Sequence, residues 1–193
     1  MPPHFPEPYI AVHDNVIPAS FCQKLIDKFE ANEDQVQMET GPTAQNQRHF
    51  MEVNLSERWP DEHATMVNIV QHCWKSYFTQ NFIQYDVQWP RQFGYEAFRM
   101  KRYLPFGKDH FPIHTDVGSH ASARRFLAFL WYLNTVREGG ETQFGLKQDD
   151  PQVTVKAVQG RVLMFPPFWT HPHWGCKPIS ETKYIVSGYL HLI

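Results

Sequence analysis

Cysteine is scarce in this chain: Cys22, Cys73 and Cys176 are the only three in 193 residues. The number is odd and no Cys-x-x-Cys spacing occurs, which argues against both a disulfide framework and a zinc ribbon. Long apolar runs are missing too. No stretch approaches the ~20 residues that a spanning helix needs, so no membrane partner is expected. The opening MPPHFPEPY has neither the basic start nor the apolar core of a secretory signal, so the cytoplasm is the expected location. Neither sign of charge dominates: 18 Lys and Arg against 20 Asp and Glu give a net charge of −2. Broad attraction to nucleic acid is therefore not expected. Internal repeats and low-complexity segments are absent.

Aromatic residues make up 15% of the chain and hydrophobic residues 42%, with 15 Pro against 10 Gly. That composition suits a loop-rich β domain better than a helical bundle. The length suits one domain over residues 1–193, since domains commonly run to ~100–200 residues. Helices are expected over about 19–82 and strands over about 87–193. Ser20-Phe21-Cys22-Gln23 reads as a capping box, followed by Phe21, Leu25, Ile26 and Phe29 on one helical face. A second helix is predicted from about Asp61 to Phe82, with Met66, Val70, Cys73, Trp74, Tyr77 and Phe78 as its apolar stripe. Asn32 to Glu52 is polar, carries Gly41-Pro42, and reads as a long loop.

Short strands are predicted afterwards: Tyr95 to Tyr103, Phe126 to Leu133, Val153 to Val158, Val162 to Phe165 after a Gln159-Gly160 turn, and Lys183 to Leu192. The run FLAFLWYL at Phe126 to Leu133 has the look of a strand buried on both faces. The fold class expected is mainly β with N-terminal helices packed on one side of a jelly roll.

His114-Thr115-Asp116 places an imidazole and a carboxylate two residues apart, on one side of an extended segment. Both can reach one metal ion. A third ligand must come from elsewhere. His173 is the choice, with His171 a second candidate of the same strand parity. Two His and one carboxylate on one face of an octahedral ion leave three positions open, which suits an Fe(II) oxygenase. By itself the pair is a weak signal, because two surface residues in a loop look the same. Lys183, Ile185, Ser187 and Tyr189 share one face of the last strand. A Lys among apolar neighbours either snorkels to solvent or needs an anion, and the distal carboxylate of 2-oxoglutarate would be one.

His114, Asp116, His173 and Lys183, ten residues after His173, together resemble the 2-oxoglutarate/Fe(II) dioxygenase motif as prolyl 4-hydroxylases carry it. Further segments are similar in order along the chain: Asp14-Asn15-Val16-Ile17, Arg102-Tyr103 with Gly107, FLAFLWYLN at 126–134, Gly139-Gly140-Glu141-Thr142, and Gly160 to Pro166. The resemblance implies a double-stranded β-helix, with Fe(II), 2-oxoglutarate and ascorbate as reductant. It implies His114, Asp116 and His173 as catalytic metal ligands, with Lys183, Tyr103 and Tyr132 binding the cosubstrate. It favours His173 over His171, since Gly175 completes a His-x-Gly pattern. His110, His120 and His191 are read as non-ligands.

The reaction implied is hydroxylation of a prolyl residue in a peptide or protein, with succinate and CO2 as by-products. A small molecule such as a free amino acid is the alternative substrate. Asp116 argues against a halogenase, where that carboxylate is replaced. No Arg occurs in 174–193, which argues against a nucleic-acid demethylase. A cupin-like zinc protein and a non-catalytic metal-binding module are the remaining readings, and Lys183 speaks against both. Lys101-Arg102 and Arg124-Arg125 read as solvated or structural pairs. Phe98, Arg99, Trp131, Phe168 and Trp169 are candidates to line the entrance. The 32–52 loop and Gly118-Ser119-His120 are candidates to close over substrate. A monomer is the default expectation.

Overall fold

The computed structural model describes residues 3–33, 36–40, 48–81, 89–107 and 109–193. Strands β1 (His4–Glu7) and β2 (Ile10–His13) precede helix α1 (Ala19–Glu30). Strands β3 (Gln37–Thr40) and β4 (His49–Asn54) follow, then a helical turn α2 (Leu55–Arg58) and helix α3 (Pro60–Asn81). The rest is strand: β5 (Phe93–Tyr95), β6 (Arg99–Tyr103), β7 (Phe111–His114), β8 (Arg125–Tyr132), β9 (Thr142–Phe144), β10 (Val153–Val155), β11 (Arg161–Phe165), β12 (His173–Gly175) and β13 (Lys183–Leu192).

One sheet runs in the order β1-β2-β11-β8-β13-β6-β4-β3, with β5 also on β13, and a second runs β10-β9-β12-β7. Every pairing is antiparallel. The architecture is mainly β and consistent with a jelly roll.

The large sheet is apolar on both faces because each face has its own partner. Alternate residues of β8 divide between them. Leu127, Phe129 and Trp131 join Met100, Val186 and Leu190 in a core with Leu25 and Phe29 of α1 and Met66 and Val70 of α3. Ala128 and Tyr132 point the other way, with Leu163, Phe165 and Ile185, toward Phe144, Val153 and Val155 of the small sheet. Burying a side chain such as Phe129 completely is worth about 1.5–3 kcal/mol. The two long helices are tied by Glu62, which is 4% exposed and takes Lys24 Nζ at 2.9 Å and Lys28 Nζ at 2.8 Å.

Two expectations need correction. The Ser20 capping box does not form. Pro18 is the N-cap, and its carbonyl accepts the Phe21 and Cys22 amides, so Ser20 already lies within the helix. Nor is 32–52 one loop, since β3 and β4 pair there from Gln37↔Glu52 to Thr40↔His49. Glu52 hid the strand: it is a buried acid at an inward position, where the alternation leads one to expect an apolar residue. Gly41-Pro42, Phe82 and Val87 lie outside the described residues. Among the described residues, no helix is long and apolar enough to cross a membrane.

Gly188 of β13 faces the helix-side core. A Cβ there would stand 2.5 Å from the Phe129 ring and 2.8 Å from the Phe98 ring. Gly188→Ala is expected to lower stability by about 1–3 kcal/mol, seen as a lower urea midpoint at unchanged slope. An unchanged midpoint would mean that this core is looser than its contacts indicate.

Candidate metal centre and inner pocket

Strands β7 and β12 lie side by side, and His114 pairs with His173 across them. Directly opposed residues bring their side chains together, so the two rings sit 4.3 Å apart between centroids. Each ring is oriented through its Nδ1, at 2.8 Å from the Pro112 carbonyl for His114 and 3.0 Å from the His171 carbonyl for His173. With Nδ1 donating, Nε2 keeps a free lone pair. Phe111 stacks on His114 at 3.8 Å, and Phe165 meets His173 edge-on at 4.7 Å. Those contacts restrict rotation of the rings.

Asp116 lies just beyond the end of β7, fixed by its own backbone. Its amide donates to the Pro167 carbonyl at 3.1 Å, and its carbonyl accepts from Arg125 Nη1 at 3.0 Å. Tyr189 Oη donates to Asp116 Oδ1 at 2.8 Å. Both His Nε2 atoms stand 3.6 Å from the carboxylate. The three ligand atoms lie within 4.8 Å of one another.

Burial pulls His173 down to about 4, against the opposing charge of Asp116, so its imidazole is neutral near pH 7. Burial alone would raise the Asp116 carboxyl. The charges of His173 and His114, with hydrogen bonds from His114 and Tyr189, hold it well below the usual carboxylate range instead. Imidazole nitrogens with a carboxylate oxygen are a fitting donor set for Fe(II).

Behind these residues lies a small inner pocket lined by Lys183, Tyr103, Thr142 and Gly175 as well as His114, Asp116 and His173. Lys183 is 3% exposed, and its ammonium makes no hydrogen bond or ion pair among the described residues. It stands 5.5 Å from the Tyr103 ring and 5.8 Å from the Tyr132 ring. Burial lowers it to about 8, with Cys176 and Glu141 opposing. A Cβ at residue 175 would stand in ordinary contact with Lys183 Nζ at 4.0 Å, which places this backbone beside the ammonium. A buried cation aimed into a pocket without a partner suits a carboxylate-bearing cosubstrate.

Tyr103 is buried with its hydroxyl unbonded among the described residues, and burial pushes its pKa up, so it stays a proton donor. Tyr132 Oη bonds Thr142 Oγ1 at 2.7 Å, and Thr142 is the residue of that pair that lines the pocket. His171 is half-buried beside Thr170 and borders a different cavity. His120 is exposed in a 3-10 turn, and His191 stands 4.0 Å from Glu96.

Sequence reasoning missed Tyr189, Arg125 and Thr142, and placed Lys101 among solvated or structural residues. The signal for Tyr189 was available, because it shares the Lys183–Ile185–Ser187 face. Lys101 is buried and lines the site, while Arg102 points outward to Glu30 at 2.9 Å. Successive strand residues face opposite ways, so adjacent basic residues need not act as a pair. Of the residues expected at the entrance, Arg99 lines the outer cleft. Phe98 and Trp131 are core. Phe168 borders a separate groove, and Trp169 is exposed.

No curated protein matches the chain by sequence. Residues 98–191 match the model of the 2OG-Fe(II) oxygenase superfamily. Among solved structures, a viral collagen prolyl hydroxylase from Paramecium Bursaria Chlorella virus-1 is similar at 18% identity and a TM-score of 0.69. That match covers 96% of this chain and 97% of the other. A prolyl hydroxylase from Trichoplax adhaerens, in complex with a hypoxia inducible factor peptide, gives 16% and 0.70 over 95% and 84% of the two chains. A Pseudomonas putida prolyl-4-hydroxylase gives 15% and 0.66 over 96% and 93%. Residues 98–191, which hold His114, Asp116, His173 and Lys183, thus match the 2OG-Fe(II) oxygenase superfamily, and nearly the whole chain is prolyl hydroxylase-like in architecture.

Proposed function

We propose that this single-domain chain is a hydroxylase in which His114, Asp116 and His173 ligate Fe(II) and Lys183 holds the distal carboxylate of 2-oxoglutarate. The observation that carries the reading is the buried Lys183 ammonium, unpaired among the described residues, in the same pocket as the two His and the Asp. A metal-binding module without catalysis would gain nothing from a desolvated cation at that place.

Bound there, Fe(II) with 2-oxoglutarate and dioxygen supplies the oxidising power that turns a substrate C–H bond into C–OH. The residues of the chain position and exclude. Pro112 and His171 carbonyls orient the imidazoles, and Tyr189 holds one carboxylate oxygen of Asp116. Lys183, with the hydroxyls of Tyr103 and Thr142, receives the cosubstrate, and Tyr132 acts on it through Thr142. Phe111 and Phe165 keep water away from the ligand rings.

The likeness to prolyl hydroxylases supports a prolyl unit as substrate, in a peptide or protein. One observation favours a small molecule instead. The cleft in front of His114 and Asp116 is walled by charged side chains, which an uncharged internal prolyl segment would desolvate without repayment.

His114→Ala, Asp116→Ala and His173→Ala are each expected to abolish the visible charge-transfer band formed anaerobically with Fe(II) and 2-oxoglutarate, and succinate formation with it. His171→Ala should keep the band. Activity surviving Asp116→Ala would sink the ligand assignment. Tyr189→Phe should weaken Fe(II) binding by about tenfold, measured by competition with a chelator. Lys183 is charged below pH 8 and loses its proton above, so 2-oxoglutarate affinity should be flat up to about 8. Beyond that it should fall about tenfold per pH unit. An affinity that stays level to pH 10 would remove Lys183 from the cosubstrate site.

A further inference from the structure

The outer cleft has a volume of about 480 Å³, within the range of small-molecule sites. Besides Asp116, four cations and three carboxylates line it: Arg48, Arg99, Lys101 and Arg125 against Glu39, Glu52 and Glu96. Three cations are matched one to one. Arg48 meets Glu39 at 3.1 Å, Arg99 meets Glu52 at 2.7 Å, and Arg125 meets Glu96 at 2.8 Å.

Lys101 is the remainder. Its Nζ stands 3.9 Å from Glu52 Oε2, too far for a hydrogen bond, and that carboxylate already serves Arg99. The ammonium makes no hydrogen bond among the described residues. It is held over the rings of Phe50 at 4.9 Å and Phe111 at 5.6 Å, in a residue only 8% exposed. Burial lowers its pKa, with Glu52 and Asp116 opposing. Lys101 lines the outer cleft and the inner pocket together, beside Phe111, the ring stacked on His114. Two inward lysines therefore border the two cavities. Lys183 takes the cosubstrate in the proposed function, which leaves the substrate as the source of a hydrogen-bonded anion for Lys101.

Resting on that hydroxylase reading, we infer that Lys101 is a specificity-determining residue that receives a carboxylate of the substrate, and that the substrate is a free amino acid. The carboxylates on the same wall match the other end of such a zwitterion. Glu52 stands 3.9 Å from Lys101, so a substrate carboxylate that engages Lys101 would leave Glu52 close enough to face the ammonium of the same molecule. An internal prolyl residue carries neither charge.

The test uses the intact chain loaded anaerobically with Fe(II) and 2-oxoglutarate. The twenty free amino acids are added in turn, followed by a blocked prolyl peptide. The readouts are the shift of the charge-transfer band on binding and succinate formation after air is admitted. At least one free amino acid is expected to shift the band and stimulate succinate. Its carboxamide should bind at least about tenfold more weakly to the wild type, the loss of one charge-assisted hydrogen bond. Lys101→Met should weaken amino-acid binding by a similar factor while 2-oxoglutarate affinity, titrated by the same band, holds within about twofold. Because the carboxamide comparison needs no variant, it stands even if Lys101→Met fails to fold.

The inference is overturned if the band forms but no free amino acid shifts it, if the blocked peptide is the better ligand, or if the carboxamide binds as well as the acid. A Lys101→Met protein that loses 2-oxoglutarate instead would move Lys101 to the cosubstrate site and overturn it too. A wild type that forms no band overturns the hydroxylase reading itself.

Discussion

A β-strand turns alternate side chains to opposite faces, and in this chain β6, β8 and β13 use that alternation to separate a dry core from a charged site. Met100, Phe129, Trp131, Val186 and Leu190 face the helices. Lys101, Tyr103, Lys183, Ser187 and Tyr189, on the opposite faces of β6 and β13, border the pocket between the sheets. Covering the helix-side face with α1 and α3 makes the large sheet rigid enough to present ionisable groups on the other. A one-residue slip of β13 would bring Val186 to the pocket and drive Lys183 into the helical core. Register is therefore what both stability and chemistry depend on, and Gly188 under the Phe129 ring helps to lock it.

Several buried polar groups are satisfied within the chain: Glu62 by two lysines, Asp109 by His49 and the Leu104 amide, and Tyr132 by Thr142. Around the site others are left short. Among the described residues, Lys183 has no anion, Lys101 has a distant share of one, and the Tyr103 hydroxyl is unbonded. Leaving such groups incomplete costs stability, and a fold retains that cost where a ligand can offset it. The metal ligands lie between these extremes. Their second atoms are pinned by carbonyls and by Tyr189, and their coordinating atoms are left to converge.

Much of this was legible from the residues alone. The strand from Lys183 to Leu192 has the limits expected of it, and the FLAFLWYL run is buried on both faces as its composition indicated. Helix α1 extends one or two residues beyond its apolar stripe at each end, and α3 begins at Pro60, one residue before the expected Asp61. The strands that were missed are short or polar. β7, β9 and β12 have three or four residues each, too few to show a period. β3 and β4 were masked by Glu52, whose place is inward because Arg99 and Lys101 on the neighbouring strand face it.

The sequence by itself determined which chemistry was available: an imidazole and a carboxylate two residues apart, a distant second imidazole, and a lysine among apolar neighbours. Strand parity is a local property, so it could be read without a fold. Only the tertiary structure decided between His171 and His173 as the imidazole that stands opposite His114, because that depends on the pairing of β12 with β7 across about 60 intervening residues. It also decided that Arg48, Arg99, Lys101 and Arg125 meet Glu39, Glu52 and Glu96 around one cleft. Charges scattered over several strands become a site only when the sheet order sets those strands side by side.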